Sequence, residues 1–141
     1  MYIRKIDIDD FKILKMFHMK HFQSYAISDA SFQAYITQSQ YQTFGMFHVK
    51  HLVGYVIFLS SGEEADIVYI ATHPDYRNQG IGTYMIKHYI AISGVSKIFL
   101  EVEETNQVAL GFYKSLGFEI INCRRNYLHG HPAYMMLLSI R

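Results

Sequence analysis

The stretch HPDYRNQGIG occupies residues 73–82 of this 141-residue chain and organises the sequence around it. It follows a nearly unbroken apolar run at residues 65–72, which is typical of a buried strand. It leads into residues 80–92, where apolar side chains recur at helical spacing. Pro74 ends the strand pattern, and the two glycines permit a close approach of the backbone or a positive φ. We therefore predict a strand buried on both faces, a tight loop and a helix in succession.

A loop of this kind can bind an anion. Successive N–H groups at the start of a helix form an anion-binding cradle, and Arg77 can add a charge-assisted contact. The stretch lacks the Gly-Lys-Ser/Thr of a P-loop and the Gly-x-Gly-x-x-Gly of a dinucleotide fold. A Gly-x-Gly turn alone is typical of ordinary loops. Its combination with a preceding strand, an arginine and a following helix favours phosphate binding.

Outward from this loop, apolar periodicity predicts the remaining elements. The predicted strands cover residues 2–6, 41–50, 51–60, 65–72, 97–102, 118–125 and 133–140, and the predicted helices cover residues 9–22, 28–38, 80–92 and 109–116. This order of strands and helices predicts a mixed α/β (α+β) sheet. Because no repeat, low-complexity tract or linker-like stretch interrupts the chain, we predict a single domain over residues 1–141.

The balance of positive and negative residues limits the classes of partner that the sequence predicts. Thirteen Lys and Arg residues against twelve Asp and Glu residues leave a formal charge of +1, which offers no broad basic surface. We therefore expect no nucleic-acid and no membrane partner. No apolar run approaches the roughly 20 residues that span a bilayer. The start of the sequence has no signal-peptide pattern, and a cytoplasmic location is expected.

Cysteine and histidine usage argues against a disulfide framework and a metal centre. Cys123 is the only cysteine, which excludes an intramolecular disulfide and fits a reducing compartment. We expect its side chain to be a small core residue rather than a nucleophile. The eight histidines form no HExxH motif and no Cys/His array. We interpret them as surface or interface residues, with no metal bound.

Three further segments accompany the loop, namely LEVEETN at residues 100–106, ALGFYKSLGF at 109–118 and RRNY at 124–127. Together with the loop they resemble the GNAT superfamily of N-acetyltransferases, and within it the bacterial alanine N-acetyltransferases that acetylate a ribosomal protein. The resemblance covers roughly residues 65–127. It implies a strongly bent mixed sheet flanked by helices and splayed between its fourth and fifth strands, with acetyl-CoA in the gap as cosubstrate.

The resemblance also implies which residues contact acetyl-CoA. They are Ile70, Ala71, Thr72, Arg77, Asn78, Gln79, Gly80, Ile81, Gly82 and Asn106. The backbone at 70–72 would hold the thioester carbonyl, although ordinary sheet pairing explains such a segment equally well. Asn106 is either a plain N-cap, a cofactor contact or both.

Glu101 and Tyr113 are the candidate catalytic residues. The resemblance places Glu101 at the catalytic glutamate of the alanine N-acetyltransferases, as the base that accepts the amine proton. Glu103, two residues on, is its rival. The resemblance places the Tyr113 hydroxyl beside the cofactor sulfur as an acid, and a phenol with a pKa of about 10 keeps its proton at neutral pH. The position of Tyr113 on the apolar stripe of its helix is also compatible with packing alone.

The segments that border the acceptor site in this family differ here. QSYAIS at residues 23–28 replaces a Phe-Pro-Trp-Ser motif, and LHGH at residues 128–131 lacks the usual acidic residue. The favoured acceptor is a protein N-terminal α-amine. A small-molecule amine is the alternative, and an acetyl-CoA sensor without turnover is a third possibility. A monomer and a homodimer are both compatible with the sequence.

Overall fold

The computed structural model describes residues 1–22, 27–128 and 130–140. The strands are β1 (Tyr2–Lys5), β2 (Tyr41–His48), β3 (His51–Ser61), β4 (Glu64–Thr72), β5 (Lys97–Glu103), β6 (Glu119–Leu128) and β7 (His131–Ser139). The helices are α1 (Phe11–His21), α2 (Asp29–Thr37), α3 (Ile81–Ser93) and α4 (Gln107–Ser115), with short 3₁₀ turns at Ile8–Asp10 and Pro74–Tyr76. Predicted and observed bounds agree within two residues, except that β6 continues to Leu128 rather than 125.

The strands form one mixed seven-stranded sheet in the order β1-β2-β3-β4-β5-β7-β6. Its pairs β1–β2, β2–β3, β5–β7 and β6–β7 are antiparallel, whereas β4 and β5 run parallel. The register of β4 with β5 covers only three residue pairs, from Glu64–Lys97 to Asp66–Phe99, although both strands continue beyond it. The predictions of a mixed sheet flanked by helices and of a splay between the fourth and fifth strands are therefore confirmed.

One compact unit comprises Met1–Ser60 and Val68–Ser93, and β3 lies at its centre. Residues 52–58 of β3 are all buried, because helices cover both faces of this strand. Tyr55 belongs to an apolar cluster with Leu14 of α1 and other side chains of α1 and α2. On the opposite face, Phe58 stacks on Tyr89 of α3 with ring centroids 3.8 Å apart.

The prediction that the apolar run at residues 65–72 is buried on both faces is wrong. In β4, Ala65, Ile67 and Ala71 are buried, whereas Val68–Ile70 are all partly exposed. The strand that is covered on both faces is β3. Hydrophobic composition is similar in the two strands, and the difference arises from where the helices pack.

His18 corrects the interpretation of the histidines as surface residues. Its side chain is 2% exposed, and its Nδ1 lies 2.6 Å from the Tyr55 hydroxyl. The rings of Phe22 and Phe32 pack against the imidazole. His18 is buried because it lies on the apolar face of α1, where the Tyr55 hydroxyl satisfies its polar nitrogen.

The second compact unit comprises Ser61–Ile67 and the chain from Gly94 onward. In β5 the side chains of Ile98, Leu100 and Val102 are buried, which confirms the predicted alternation. Leu110 and Tyr113 are the buried side chains of α4. Gly117, with φ of 102°, follows this helix in the left-handed conformation, as predicted for its C-terminal stop.

The strand β6 lies at one end of the sheet order. Every residue from 119 to 125 is exposed, and the register with β7 is interrupted between Ile120 and Asn122 by a bulge-like irregularity. Cys123 lies in this exposed run, so the prediction that it is a core residue is wrong. Because residues 119–125 of this edge strand are exposed on both faces, a small side chain there is not part of a core.

No helix in the described part of the chain is long and apolar enough to cross a membrane.

Candidate functional site

The segment that joins β4 to α3 is shaped by local hydrogen bonds. The Asp75 N–H donates to Nδ1 of His73 at 3.0 Å, and the Tyr76 N–H donates to the His73 carbonyl at 2.9 Å. Pro74 takes the first position of the 3₁₀ turn, where its missing N–H costs no hydrogen bond. These residues fix the start of the loop and leave Arg77 exposed after it.

Two left-handed residues bring the loop into α3. Asn78 has φ of 62° and Gly80 has φ of 78°, and the Gly80 carbonyl accepts the first helical hydrogen bond from the Tyr84 N–H at 2.9 Å. The N–H groups of Ile81 and Gly82 therefore lie in the first turn of a 13-residue helix, where they have no acceptor within that helix. With the partial positive charge of the helix N-terminus, they are suited to an anion.

The end of β4 leads directly into this loop. Ala71 is buried, while Ile70 and Thr72 are partly exposed. A Cβ atom at Gly54 of β3 would lie 3.0 Å from the Ala71 carbonyl oxygen, so the absence of a side chain at this position permits the close approach. The His73 N–H donates to the Val53 carbonyl at 2.8 Å and holds the end of the strand in place.

The remaining predicted site residues lie in the second unit. Glu101 lies on β5, on the face opposite its buried side chains, and its own side chain is 23% exposed. The Nη1 atom of Arg124 is 3.2 Å from its Oε1 atom. Sequence reasoning assigned no role to Arg124. The RRNY segment at residues 124–127 contains this arginine, but its partner cannot be predicted from the sequence because it depends on the order of the strands.

Glu103 shares the face of Glu101, since the two residues are two positions apart in the same strand. Its side chain is partly buried, and Thr105 Oγ1 donates to its Oε2 atom at 3.4 Å. Both carboxylates thus remain partly accessible to solvent. Glu101 forms the ion pair with Arg124 described above.

Tyr113 is 7% exposed, and its ring packs edge-on against Phe118 with centroids 5.5 Å apart. Burial raises the pKa of its phenol above the ordinary value of 10. Within the described part of the chain, no residue forms a hydrogen bond with its hydroxyl. The ring of Tyr113 is therefore packed, while its hydroxyl proton is not donated to any of those residues.

Asn106 caps α4, since its Oδ1 atom accepts a hydrogen bond from the Ala109 N–H at 3.1 Å. The prediction of an N-cap is confirmed, and a cofactor contact by the same residue stays a prediction. Residues 23–26 and 129, which belong to the segments predicted to border the acceptor site, lie outside the described residues. Among the described residues, no group of three or more His, Cys, Asp or Glu side chains is arranged to hold a metal ion.

The model of the Acetyltransferase (GNAT) family matches residues 4–118, which is most of the chain. This chain belongs to the GNAT acetyltransferase family. The matched residues include the β4–α3 loop, Glu101, Asn106 and Tyr113.

Similar GNAT proteins include enzymes that acetylate protein N-termini. The [ribosomal protein bS18]-alanine N-acetyltransferase of Escherichia coli K12 is 41% identical over 68 residues, which are 46% of each chain. The N-alpha-acetyltransferase RimI of Mycobacterium tuberculosis is 32% identical over 75 residues, which are 52% of this chain and 48% of the relative. The sequence matches thus span about half the length of the curated relatives.

The fold is similar over nearly the whole chain. The crystal structure of the Escherichia coli ribosomal-protein-S18-alanine N-acetyltransferase has a TM-score of 0.87 at 28% identity and covers 99% of this chain and 93% of its own. Arabidopsis thaliana NAA60 in complex with acetyl-CoA has a TM-score of 0.86 at 17% identity, with 99% and 98% covered. The second likeness is one of fold alone.

Proposed function

We propose that this GNAT chain transfers the acetyl group of acetyl-CoA to the α-amine of a protein N-terminus. The observation that carries the first half of this proposal is the β4–α3 loop, where Asn78 and Gly80 bring free N–H groups of α3 to a position suited to an anion. The similarity to the bS18-alanine N-acetyltransferase supports the second half. A ribosomal acceptor would place the reaction in the cytoplasm.

The loop is proposed to bind the pyrophosphate of acetyl-CoA. The exposed Arg77, Asn78, Gln79 and Gly80 and the first residues of α3, Ile81 and Gly82, would supply its contacts, with Asn106 as a further one. The backbone of Ile70, Ala71 and Thr72 would orient the acetyl carbonyl. When bound, acetyl-CoA supplies an activated thioester.

Glu101 is proposed as the general base. A new C–N bond forms as the C–S bond breaks, and the Glu101 carboxylate takes the proton that the amine nitrogen loses. The ion pair with Arg124 holds this carboxylate in one orientation. A protein α-amine, with a pKa of about 7.7–8.0, is already partly free base at neutral pH, whereas lysine at about 10.4 is not. A base of modest strength therefore suits an N-terminal acceptor.

Tyr113 is proposed to stabilise the departing sulfur. Because burial raises the pKa of Tyr113, complete proton transfer to a thiolate, whose thiol has a reference pKa of about 8.5, is uphill. The hydroxyl therefore acts by donating a hydrogen bond as negative charge develops on sulfur. Solvent then supplies the proton that completes the thiol.

A small-molecule amine is the second candidate acceptor. It is favoured by the sequence of residues 23–28, which lack the tryptophan-containing motif of the alanine N-acetyltransferases. An acceptor site without that motif need not bind the same N-terminus. The chemistry assigned to Glu101 and Tyr113 is the same for either acceptor.

The acceptor can be tested by measuring thiol release from acetyl-CoA with a panel of peptides and small amines. We expect turnover with peptides that carry a free N-terminus, and none with the same peptides after N-terminal blocking, even when they contain lysine. Turnover only with polyamines, amino acids or aminoglycosides would establish the second candidate. Binding of acetyl-CoA without turnover across the panel would contradict catalysis and indicate a sensor.

The binding loop gives a prediction about cofactor affinity. We expect Gly82→Val to weaken acetyl-CoA binding more than Arg77→Ala, because the main contacts are proposed to be backbone N–H groups. A favourable charge at a helix N-terminus contributes about 0.3–1 kcal/mol, so loss of the cradle geometry should outweigh loss of one exposed side chain. Calorimetric titration with acetyl-CoA measures both affinities.

Folding must be controlled in this comparison, since a branched side chain at residue 82 can also disturb the packing of α3. Thermal unfolding of each variant without ligand identifies a loss of fold. Thr83→Val, which places valine at a neighbouring residue of α3 with no assigned cofactor contact, is the control. A loss for Arg77→Ala that equals or exceeds that for folded Gly82→Val would contradict the backbone cradle.

A further inference from the structure

The strand β7 lies between the two residues of the Glu101–Arg124 ion pair. The sheet order places β7 between β5, which carries Glu101, and β6, which carries Arg124. Neighbouring strands lie about 4.7–4.9 Å apart, so the backbones of β5 and β6 are roughly 10 Å apart. The Nη1 atom of Arg124 nevertheless lies 3.2 Å from the Oε1 atom of Glu101. The two side chains can meet only across one face of β7.

The strand register identifies the residues at which this contact crosses β7. Arg124 pairs with Ala133, and Glu101 pairs with Met135. Residues that are directly paired share a face of the sheet, and so do residues two positions apart in one strand. All four side chains therefore lie on the same face. Tyr134, which stands between Ala133 and Met135 in the chain, projects to the opposite face. The ion pair thus crosses β7 at Ala133 and Met135.

Ala133 is the small residue at this crossing. It is 0% exposed, although the side chains of Arg124 and Glu101 on the same face are 42% and 23% exposed. A fully buried methyl group on an otherwise accessible face is expected if the arginine stem lies across it, since arginine commonly packs its methylene groups on apolar surface. Alanine adds a single carbon above the backbone and leaves room for that stem. A β-branched side chain would occupy the same space.

We propose that Ala133 provides the gap through which Arg124 crosses β7, and that this gap orients Glu101 for acetyl transfer. The inference rests on the proposed function, because it concerns the orientation of the proposed base. A catalytic group must be held within about 0.5 Å of its productive position by the residues around it. Ala133 and Arg124 are therefore positioning residues, which act on the reaction through the Glu101 carboxylate.

Packing alone is the other explanation for a small residue at position 133. On that explanation, alanine fills a limited space between its neighbours, and the ion pair does not depend on it. A larger side chain would then lower stability, and activity would fall only as far as the folded fraction falls. If Ala133 provides a gap, a larger side chain lowers kcat in the folded enzyme, while the affinity for acetyl-CoA is kept.

The test compares Ala133→Val with Ala133→Gly in the whole chain. Valine is a good strand former but closes the gap, whereas glycine keeps the gap open and weakens the strand. We expect Ala133→Val to lower kcat about 10–100-fold, because misplacement of a reacting group by about 1 Å can have an effect of this size. Ala133→Gly should retain most of kcat despite a lower unfolding temperature. Calorimetric titration should show unchanged affinity for acetyl-CoA in both variants.

Ser139→Val is the matched control, since it places the same side chain at an exposed position on the same face of β7. We expect its kcat to equal that of the parent. Thermal unfolding identifies any variant that has lost its fold. If Ala133→Val does not fold, Ala133→Cys, with an intermediate side-chain volume, takes its place and should lower kcat by a smaller factor than Arg124→Met does.

Double variants show whether the gap acts through the ion pair. Arg124→Met should lower kcat by about the same factor as Ala133→Val. The two substitutions together should cause no further loss, because both remove the same contact. Ala133→Val should likewise leave the residual rate of Glu101→Gln unchanged. A full additional loss in either double variant would overturn the proposal.

A crystal structure of folded Ala133→Val gives a readout that does not depend on turnover. We expect no guanidinium nitrogen of Arg124 within about 4 Å of the Glu101 carboxylate, the limit for an ion pair. An intact ion pair, or a near-native kcat in its absence, would overturn the role of the gap. A near-native rate of Glu101→Gln would contradict the proposed base and, with it, the catalytic role of Ala133. The crystal structure would still decide separately whether Ala133 lets Arg124 cross β7.

Discussion

Turnover of a Glu101→Gln variant is expected to fall about 10²–10⁴-fold, the range typical of a general base. Glutamine keeps the shape of the side chain and can still accept a hydrogen bond from Arg124, but it cannot take the amine proton. The affinity for acetyl-CoA should change little, because no cofactor contact is assigned to this carboxylate. The loss should shrink as the pH rises through the α-amine pKa of about 8, where more acceptor is free base.

The comparison needs Glu103→Gln beside it, since the two carboxylates share one face of β5. We expect Glu103→Gln to retain most of the rate. Steady-state rates with an N-terminal peptide from pH 6 to pH 9 distinguish the two residues. A Glu101→Gln enzyme with a near-native rate at neutral pH, or a larger loss for Glu103→Gln, would remove Glu101 from the base role.

A Tyr113→Phe variant should lose about 10²-fold or more in kcat while it still binds acetyl-CoA. The substitution removes one oxygen and keeps the ring that packs against Phe118. Since no described residue forms a hydrogen bond with the hydroxyl, its loss should leave the unfolding temperature nearly unchanged. A fall in kcat without a fall in stability separates a role at the sulfur from packing.

Tyr41→Phe, which makes the same chemical change on β2, is the matched control. Single-turnover kinetics with acetyl-CoA and a peptide acceptor report the chemical step directly. If folded Tyr113→Phe turned over within a few-fold of the parent, Tyr113 would be a packing residue only.

The local sequence pattern predicted the positions of the strands and helices better than it predicted which of their faces are buried. The apolar residues of β5 alternate strictly, and those of α4 recur at helical spacing, so both elements were evident from the sequence. Burial of β3 on both faces was not evident, because it requires that α1 and α2 pack on one face and α3 on the other. The burial of His18 likewise depends on Tyr55, which is 37 residues away in sequence.

The candidate site likewise has one part that the local sequence predicts and one part that it does not. The loop at residues 73–82 is contiguous, and its glycines, proline and following helix specify its geometry locally. The pair of Glu101 and Arg124 is different, because β7 lies between β5 and β6 in the sheet. Charge and spacing in the sequence do not reveal that order, and the role of the arginine was therefore missed.

The exposed edge strand β6 has a consequence for self-association. Open strand edges can add the strands of other molecules, which is the first step of amyloid-like aggregation. Two features of β6 oppose this step: the irregularity after Ile120 interrupts a flat ladder, and the neighbouring Arg124 and Arg125 add charge. These few edge residues therefore favour solubility at high protein concentration. At Ile120, where no catalytic role is assigned, resistance to self-association is a separate constraint on the sequence.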